Sequence, residues 1–111
     1  MKDVYVNDIY PYWWKIAGIA DQDEWAKATS VMEFYDPDCR IIILGQGADA
    51  ENLSTLLTTA KQSHHTVGFA IGRTIFWDAW VAFANNEMTA EEVPAVIADN
   101  YRKLIGIWQN A

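Results

Sequence analysis

A chain of 111 residues, 51% hydrophobic, 14% aromatic and 21% charged, has the make-up of one globular domain, which excludes a disordered or fibrous segment. Its 8 Lys and Arg against 15 Asp and Glu give a net charge of -7 with no basic stripe, so nucleic acid and anionic membranes lose their usual electrostatic attraction and neither is an expected partner. The single Cys39 excludes an internal disulfide, no apolar run approaches the ~18 residues of a membrane span, and Met1-Lys2-Asp3-Val4 lacks a signal-peptide core, so a reducing cytoplasm is expected.

Taken in chain order, Val4 to Ile16 is rich in β-branched and aromatic residues and reads as a strand ending in Tyr12-Trp13-Trp14-Lys15-Ile16, with Pro11 marking an edge or an irregularity. From about Asp21 to Tyr35 the residues Trp25, Ala28, Val31, Met32 and Tyr35 recur at helical spacing. Asp21, Asp23 and Glu24 crowd the first turn, where the helix dipole favours anions, and Asp36-Pro37-Asp38 stops the helix. Cys39 to Leu44 is a short continuous apolar run closed by Gly45-Gln46-Gly47, the pattern of a parallel strand buried on both faces.

A second helix is expected from about Ala50 to Lys61, with Leu53, Leu56, Leu57 and Ala60 on one face. Ser63-His64-His65 connects it to a third strand, Thr66 to Ile71, which Gly72-Arg73-Thr74 leaves. A helix around Ile75 to Ala84, a break at Asn85-Asn86 and a last helix to about Trp108 complete the chain. Thr89-Ala90-Glu91-Glu92 has capping-box spacing, so the last helix is expected to begin near Thr89, with an irregular or 3₁₀ start because Pro94 lies deep in the first turn. Strands of the doubly buried type alternating with helices imply right-handed crossovers and a parallel sheet in one α/β domain over residues 1-111. A full (β/α)₈ barrel takes roughly 200 residues, so a chain of this length holds only part of one.

The stretch Gly68-Phe69-Ala70-Ile71-Gly72-Arg73-Thr74 is the most informative chemically. Small residues at a strand end let backbone N–H groups approach an anion, the next helix adds its positive end, and Arg73 can add a bidentate contact. The plainer reading is a glycine turn with Arg73 solvated. Gly45-Gln46-Gly47 holds the same place after the preceding strand, and barrel phosphate sites use loops after two successive strands, which favours the anion reading.

Lys15 closes the first strand among Trp13, Trp14 and Ile16, where partial desolvation favours the neutral amine that forms a Schiff base. Most strand-end lysines instead extend their ammonium to water, and spacing alone favours that. Asp8, Tyr10 and Tyr12, read on the same strand, can orient a sugar hydroxyl or pack a rim. His64 and His65, adjacent in a connection, are expected to point apart and be solvated, with no carboxylate or thiol at ligand spacing, so neither metal nor cofactor is expected. Most of the 6 tryptophans are read as core or contact surface, and Cys39 as a small buried apolar residue.

Three blocks then come together in order: Asp8-Ile9-Tyr10-Pro11-Tyr12-Trp13-Trp14-Lys15, Cys39-Arg40-Ile41-Ile42-Ile43-Leu44-Gly45 and Gly68-Phe69-Ala70-Ile71-Gly72-Arg73-Thr74-Ile75-Phe76. They resemble the C-terminal part of the class I aldolase-like barrel domain fused to 5-dehydro-2-deoxygluconokinase in inositol catabolism, which is related to tagatose-bisphosphate aldolase. The resemblance implies that the strands are strands 6 to 8 of a (β/α)₈ barrel, a partial barrel here. It implies that Lys15 is the Schiff-base lysine, and that Gly45, Gly47, Gly72 and Arg73 hold the phosphate of a phosphorylated sugar or keto acid, with Asp8 as a further substrate contact. Tyr12 stands where the family carries aspartate, and Gln46-Gly47 where it carries Leu-Asp. Strands 1 to 5 and their acid-base residues lie outside the chain, so lyase activity is expected only when the barrel is completed. The other expectation is a non-catalytic self-assembling module. Either way, two open sheet edges and an uncovered barrel interior point to a homo-oligomer, most simply a two-fold dimer.

Overall fold

The computed structural model describes residues 1–111, the side chain of Ala50 apart. In chain order it contains α1 (Lys2–Tyr5), β1 (Trp13–Ala17), α2 (Gln22–Tyr35), β2 (Arg40–Leu44), α3 (Ala50–Ala60), β3 (Thr66–Ala70), α4 (Arg73–Ala84) and α5 (Val93–Asn110). The three strands form one parallel sheet in the order β1-β2-β3, with Trp14 opposite Ile41, Ile16 opposite Ile43 and Ile43 opposite Phe69. Between Ile41 and Ile42 the β2–β3 register shifts, so that Val67 is an extra residue bulged out of β3.

Strand periodicity divides the sheet into two unequal faces. Trp14, Ile16, Ile41, Ile43 and Phe69 point towards the helices and share one core with Tyr5 of α1, Trp25 and Met32 of α2, Leu53 and Leu57 of α3, Ile75 of α4 and Leu104 of α5. Trp13, Lys15, Ala17, Ile42, Leu44, Gly68 and Ala70 line the opposite face, and none of them belongs to that core. A doubly wound sheet carries helices on both faces, whereas a barrel sheet carries them on the outer one. Here all the helices that reach the sheet core back one face.

The local sequence accounts for the helices. Asp21 caps α2 by accepting the Glu24 N–H at 2.9 Å, and Asp49 caps α3 by accepting the Asn52 N–H at 2.9 Å. Leu53, Leu57 and Ala60 of α3 are fully buried, each leucine contributing about 1.5–3 kcal/mol. Close packing of α3 on the β1 exit needs Gly18, because a Cβ there would lie 2.8 Å from Leu56 Cβ. The α5 stripe Ile97, Leu104, Ile107 and Trp108 joins the core, and Asn100 Nδ2 donates to the Ile75 carbonyl at 3.0 Å to tie α5 to α4. At the far end of α5, Lys61 Nζ donates to the carbonyls of Trp108 at 2.5 Å and Gln109 at 3.3 Å.

Three expectations from sequence are corrected. Val4 to Tyr12 is not strand: Lys2–Tyr5 is a short helix, and Asp8 takes a positive φ of 58° in the turn after it. Backbone bonds close locally there, Asp8 N–H to Tyr5 O at 3.0 Å and Ile9 N–H to Val4 O at 3.2 Å, while Pro11 has no N–H to offer a ladder. Asp8, Tyr10 and Tyr12 therefore precede β1 rather than sharing it with Lys15. The last helix begins at Val93, not Thr89. The Glu92 carboxylate accepts the Thr89 N–H at 2.8 Å, as a capping box predicts, but this closes a turn ahead of the helix, and Pro94 then occupies the first helical turn where a missing N–H costs nothing. Finally, α4 starts at Arg73, two residues before Ile75, which makes Gly72 its N-cap.

Among the described residues, no helix is long and apolar enough to cross a membrane.

Candidate functional site

The two glycine segments meet at the C-terminal end of the sheet. Leu44, Gly45, Gln46, Gly47, Ile71, Gly72, Arg73 and Thr74 line one cleft of about 460 Å³. Gln46 and Gly47 both have positive φ, 49° and 78°, which turns the chain sharply after β2 and is strain-free only for the glycine. A Cβ on Gly47 would lie 3.8 Å from an Arg73 guanidinium nitrogen, so the side chain of Arg73 reaches across from the β3 exit to the β2 exit. Thr74 Oγ1 donates to the Ala48 carbonyl at 3.2 Å and fastens the two loops together.

The two helix N-termini at this end differ in what they can offer. The α3 terminus is already occupied by the Asp49 carboxylate. No side chain caps α4; the Gly72 carbonyl takes the Ile75 N–H at 2.8 Å and the Phe76 N–H at 3.2 Å, which leaves the N–H groups of Arg73 and Thr74 at the positive end of the helix dipole. An anion therefore fits α4 and not α3. Asp49 and Asp78 line the neighbouring cleft with Arg73, which sets the acidic boundary of the positive spot.

Lys15 projects from the middle of β1 opposite Ile42, on the face that no helix covers. Lys15 is exposed, as the commoner reading of strand-end lysines has it and against the partial desolvation that the Schiff-base reading needs, and its face neighbour Trp13 is 53% exposed. Asp8 stands apart from the cleft. It follows α1, whose Tyr5 packs against Tyr35 at the end of α2, and so lies at the opposite end of the sheet from Gly72 and Arg73. The cleft thus gathers Gly45, Gly47, Gly72 and Arg73, leaves Lys15 on the adjoining open face, and excludes Asp8.

At the N-terminal end of the sheet the sequence reading of the histidines is overturned. His65 is 1% exposed, and its ring lies 4.1 Å from that of His64, so the pair neither points apart nor is wholly solvated. Its Nδ1 is 3.0 Å from the Cys39 carbonyl and its Nε2 is 2.9 Å from Glu33 Oε2. His64 Nε2 approaches the same carboxylate oxygen at 3.6 Å. Glu33 lies on α2, 32 residues before His65, which is why adjacency in sequence did not show it. Cys39 is buried as expected, with its thiol donating to the Pro11 carbonyl at 3.0 Å. Beside it Tyr5 accepts the Trp14 indole N–H at 2.8 Å, and burial raises the Tyr5 phenol above its usual range.

The class of protein that this architecture defines is an α/β protein of consecutive strand-helix units, with a parallel sheet backed by helices on one face. Among protein families, the chain belongs to the one described as an uncharacterized protein conserved in bacteria (DUF2090), whose model matches residues 1–111. No curated protein and no solved structure matches it.

Proposed function

We propose that the chain binds a phosphorylated sugar or keto acid through its phosphoryl group, at the cleft formed by Gly45, Gly47, Gly72 and Arg73. The observation that carries this reading is the convergence of two glycine exits, one uncapped helix N-terminus and one guanidinium on a single cleft of about 460 Å³. In this reading the sheet is part of a (β/α)₈ barrel, the open face is its interior, and Lys15 is the nucleophile of a class I lyase once the barrel is complete. Lys15 and the cleft then sit as a barrel substrate needs them. The amine projects from the interior face, and the phosphate group rests at the strand C-termini about two strand spacings, or roughly 10 Å, away.

Titration with inorganic phosphate and with candidate phosphorylated keto sugars tests the anion site, with saturable binding expected for the native chain. Lys15 is tested separately. Its amine attacks a substrate carbonyl carbon, water leaves, and borohydride reduces the imine to a stable secondary amine, so mass spectrometry should find added mass at Lys15. Unmodified Lys15 beside a labelled control aldolase removes the nucleophile and leaves the anion site standing.

A second reading rests on the uncovered sheet face and the exposed Trp13, Trp77 and Trp80. In it the chain is a non-catalytic module that assembles with itself, as a two-fold dimer that covers strand edges or the open face. Light scattering at micromolar concentration separates the two: a cooperative monomer that binds phosphate leaves only the first, and a dimer indifferent to phosphate leaves only the second.

A further inference from the structure

The side chains of Glu33, His64 and His65 gather at the end of the sheet opposite the glycine cleft, and their ligand atoms all lie within 4.8 Å of one another. His65 sets the chemistry. The Cys39 carbonyl can only accept, so the Nδ1 held 3.0 Å from it carries the ring proton and the lone pair of a neutral imidazole sits on Nε2. That lone pair faces Glu33 Oε2 at 2.9 Å, an acceptor facing an acceptor, and His64 Nε2 stands 3.6 Å from the same oxygen. A proton on Nε2 would turn the 2.9 Å contact into an ion pair, with neutral His64 carrying its own proton on Nε2; a metal ion would instead bond to all three groups at once.

We propose that Glu33, His64 and His65 form a binding site for a divalent transition-metal ion of the zinc class. Ligands about 2.0–2.1 Å from a tetrahedral zinc are roughly 3.3 Å from each other, and the two distances at Glu33, 2.9 and 3.6 Å, bracket that edge. The donor set of two imidazoles and one carboxylate suits zinc and its neighbours and not calcium or magnesium, which take all-oxygen shells. His65 is the fixed ligand. Its ring is oriented by the Cys39 carbonyl, the second-layer partner that ligating histidines usually have, and its own carbonyl accepts the Ile41 N–H at 2.7 Å to anchor the backbone. Glu33 and His64 are exposed, at 60% and 67%, so their side chains are free to move ligand atoms that now lie within 4.8 Å of one another onto one ion.

The three ligands open on a cleft of about 450 Å³ that Gln22, Trp25, Thr29, Ser30 and Gln62 also line. Trp25 is buried, and its indole N–H has no hydrogen-bond partner among the described residues. With three protein ligands, the fourth tetrahedral position falls to a water or a small anion from the cleft, the arrangement of an open zinc site and not of a closed structural one. The ion would also tie α2 to the connection between α3 and β3.

The test uses tag-free, chelator-treated protein titrated with Zn²⁺ by competition against a chromophoric chelator, with Co²⁺ absorption as a second readout. The native chain should take up one equivalent and melt at a higher temperature with zinc present. Glu33→Gln and His64→Ala, both at exposed positions that leave the His65–Cys39 bond intact, should each weaken uptake by roughly tenfold or more. Three results overturn the proposal: no stoichiometric uptake at micromolar metal, equal affinity in the native chain and Glu33→Gln, or a thiolate charge-transfer band with Co²⁺, which would move the ion to Cys39. The first two would leave a structural imidazolium–carboxylate pair.

Discussion

The two ends of the β-sheet, roughly 15 Å apart along five-residue strands, solve opposite problems with opposite materials. At the C-terminal end the polar groups are backbone N–H groups and one guanidinium, set in exposed loops by glycines and held by a single Thr74 bond. At the N-terminal end they are side chains, packed under α1 and α2, with His65, Cys39 and Tyr5 almost without solvent contact. The first end leaves donors unused and is suited to receive something. The second end holds His65, the Cys39 thiol and the Trp14 indole in specific bonds, although the buried Trp25 N–H and Thr66 hydroxyl have no partner among the described residues, and its stability depends on the bonds that are made. Burial decides the difference, because an unmatched polar group costs little in a wet loop and about 1–3 kcal/mol in a core.

The sharpest way to break this contrast is His65→Ala. It removes a buried ring and strands the Cys39 carbonyl, so a loss of about 3 kcal/mol is expected in urea or thermal unfolding, against less than about 0.5 kcal/mol for Arg73→Ala in the same assay. Equal melting of all three proteins would show that the N-terminal end is not built on these bonds. Arg73→Ala should act on binding instead, weakening phosphate by about 1.5–3 kcal/mol, the range of a charge-assisted hydrogen bond. Calorimetric titrations identical with the native chain would take Arg73 out of the site.

A smaller effect is expected at Gly47. Its φ of 78° admits an L-residue only with strain, so Gly47→Ala should cost about 1 kcal/mol, while the added methyl would make only ordinary contact with Arg73, 3.8 Å away. Denaturation midpoints of the two proteins decide it. The smallest effect belongs to Tyr5. Its phenol is raised above 10.0 by burial, so the folded state holds that proton more tightly than the unfolded chain. The resulting stabilisation is complete below pH 10 and is lost as pH rises through the folded value. Native protein should therefore weaken in alkaline melts beyond pH 10 more steeply than Tyr5→Phe does.

What the sequence revealed follows the same division. The helices α2 and α3 and the strands β2 and β3 were legible because each is announced locally, by apolar spacing in α2 and α3, acidic residues at the start of α2 and the apolar run Ile41 to Leu44 in β2. The glycine cleft was legible for a related reason: Gly45-Gln46-Gly47 and Gly72-Arg73 each mark a strand exit, and parallel strands bring their exits to one end. The opening segment was misread because β-branched and aromatic residues at Val4 to Tyr12 signal strand, whereas here only Tyr5 is buried, against Tyr35 and Trp14, and Val6, Ile9, Tyr10 and Tyr12 are exposed without pairing. The His65 site had no local mark at all. Its partners lie 26 and 32 residues away, and only the return of β3 beside β2 brings them together.

Lys61 shows how one residue can set the order in which the fold frays. It follows the last turn of α3, yet its ammonium, 5.5 Å from the Trp108 ring, holds the two carbonyls that close α5, 47 and 48 residues further on. Helix C-termini leave such carbonyls without partners and favour a cation beside them. A change that removes this one charge, acetylation included, thus unpins the distal turns of another helix while α3 itself keeps its leucines in place. In deuterium exchange that would appear as faster labelling near Ile107 to Asn110 with the amides of Leu53 and Leu57 still protected.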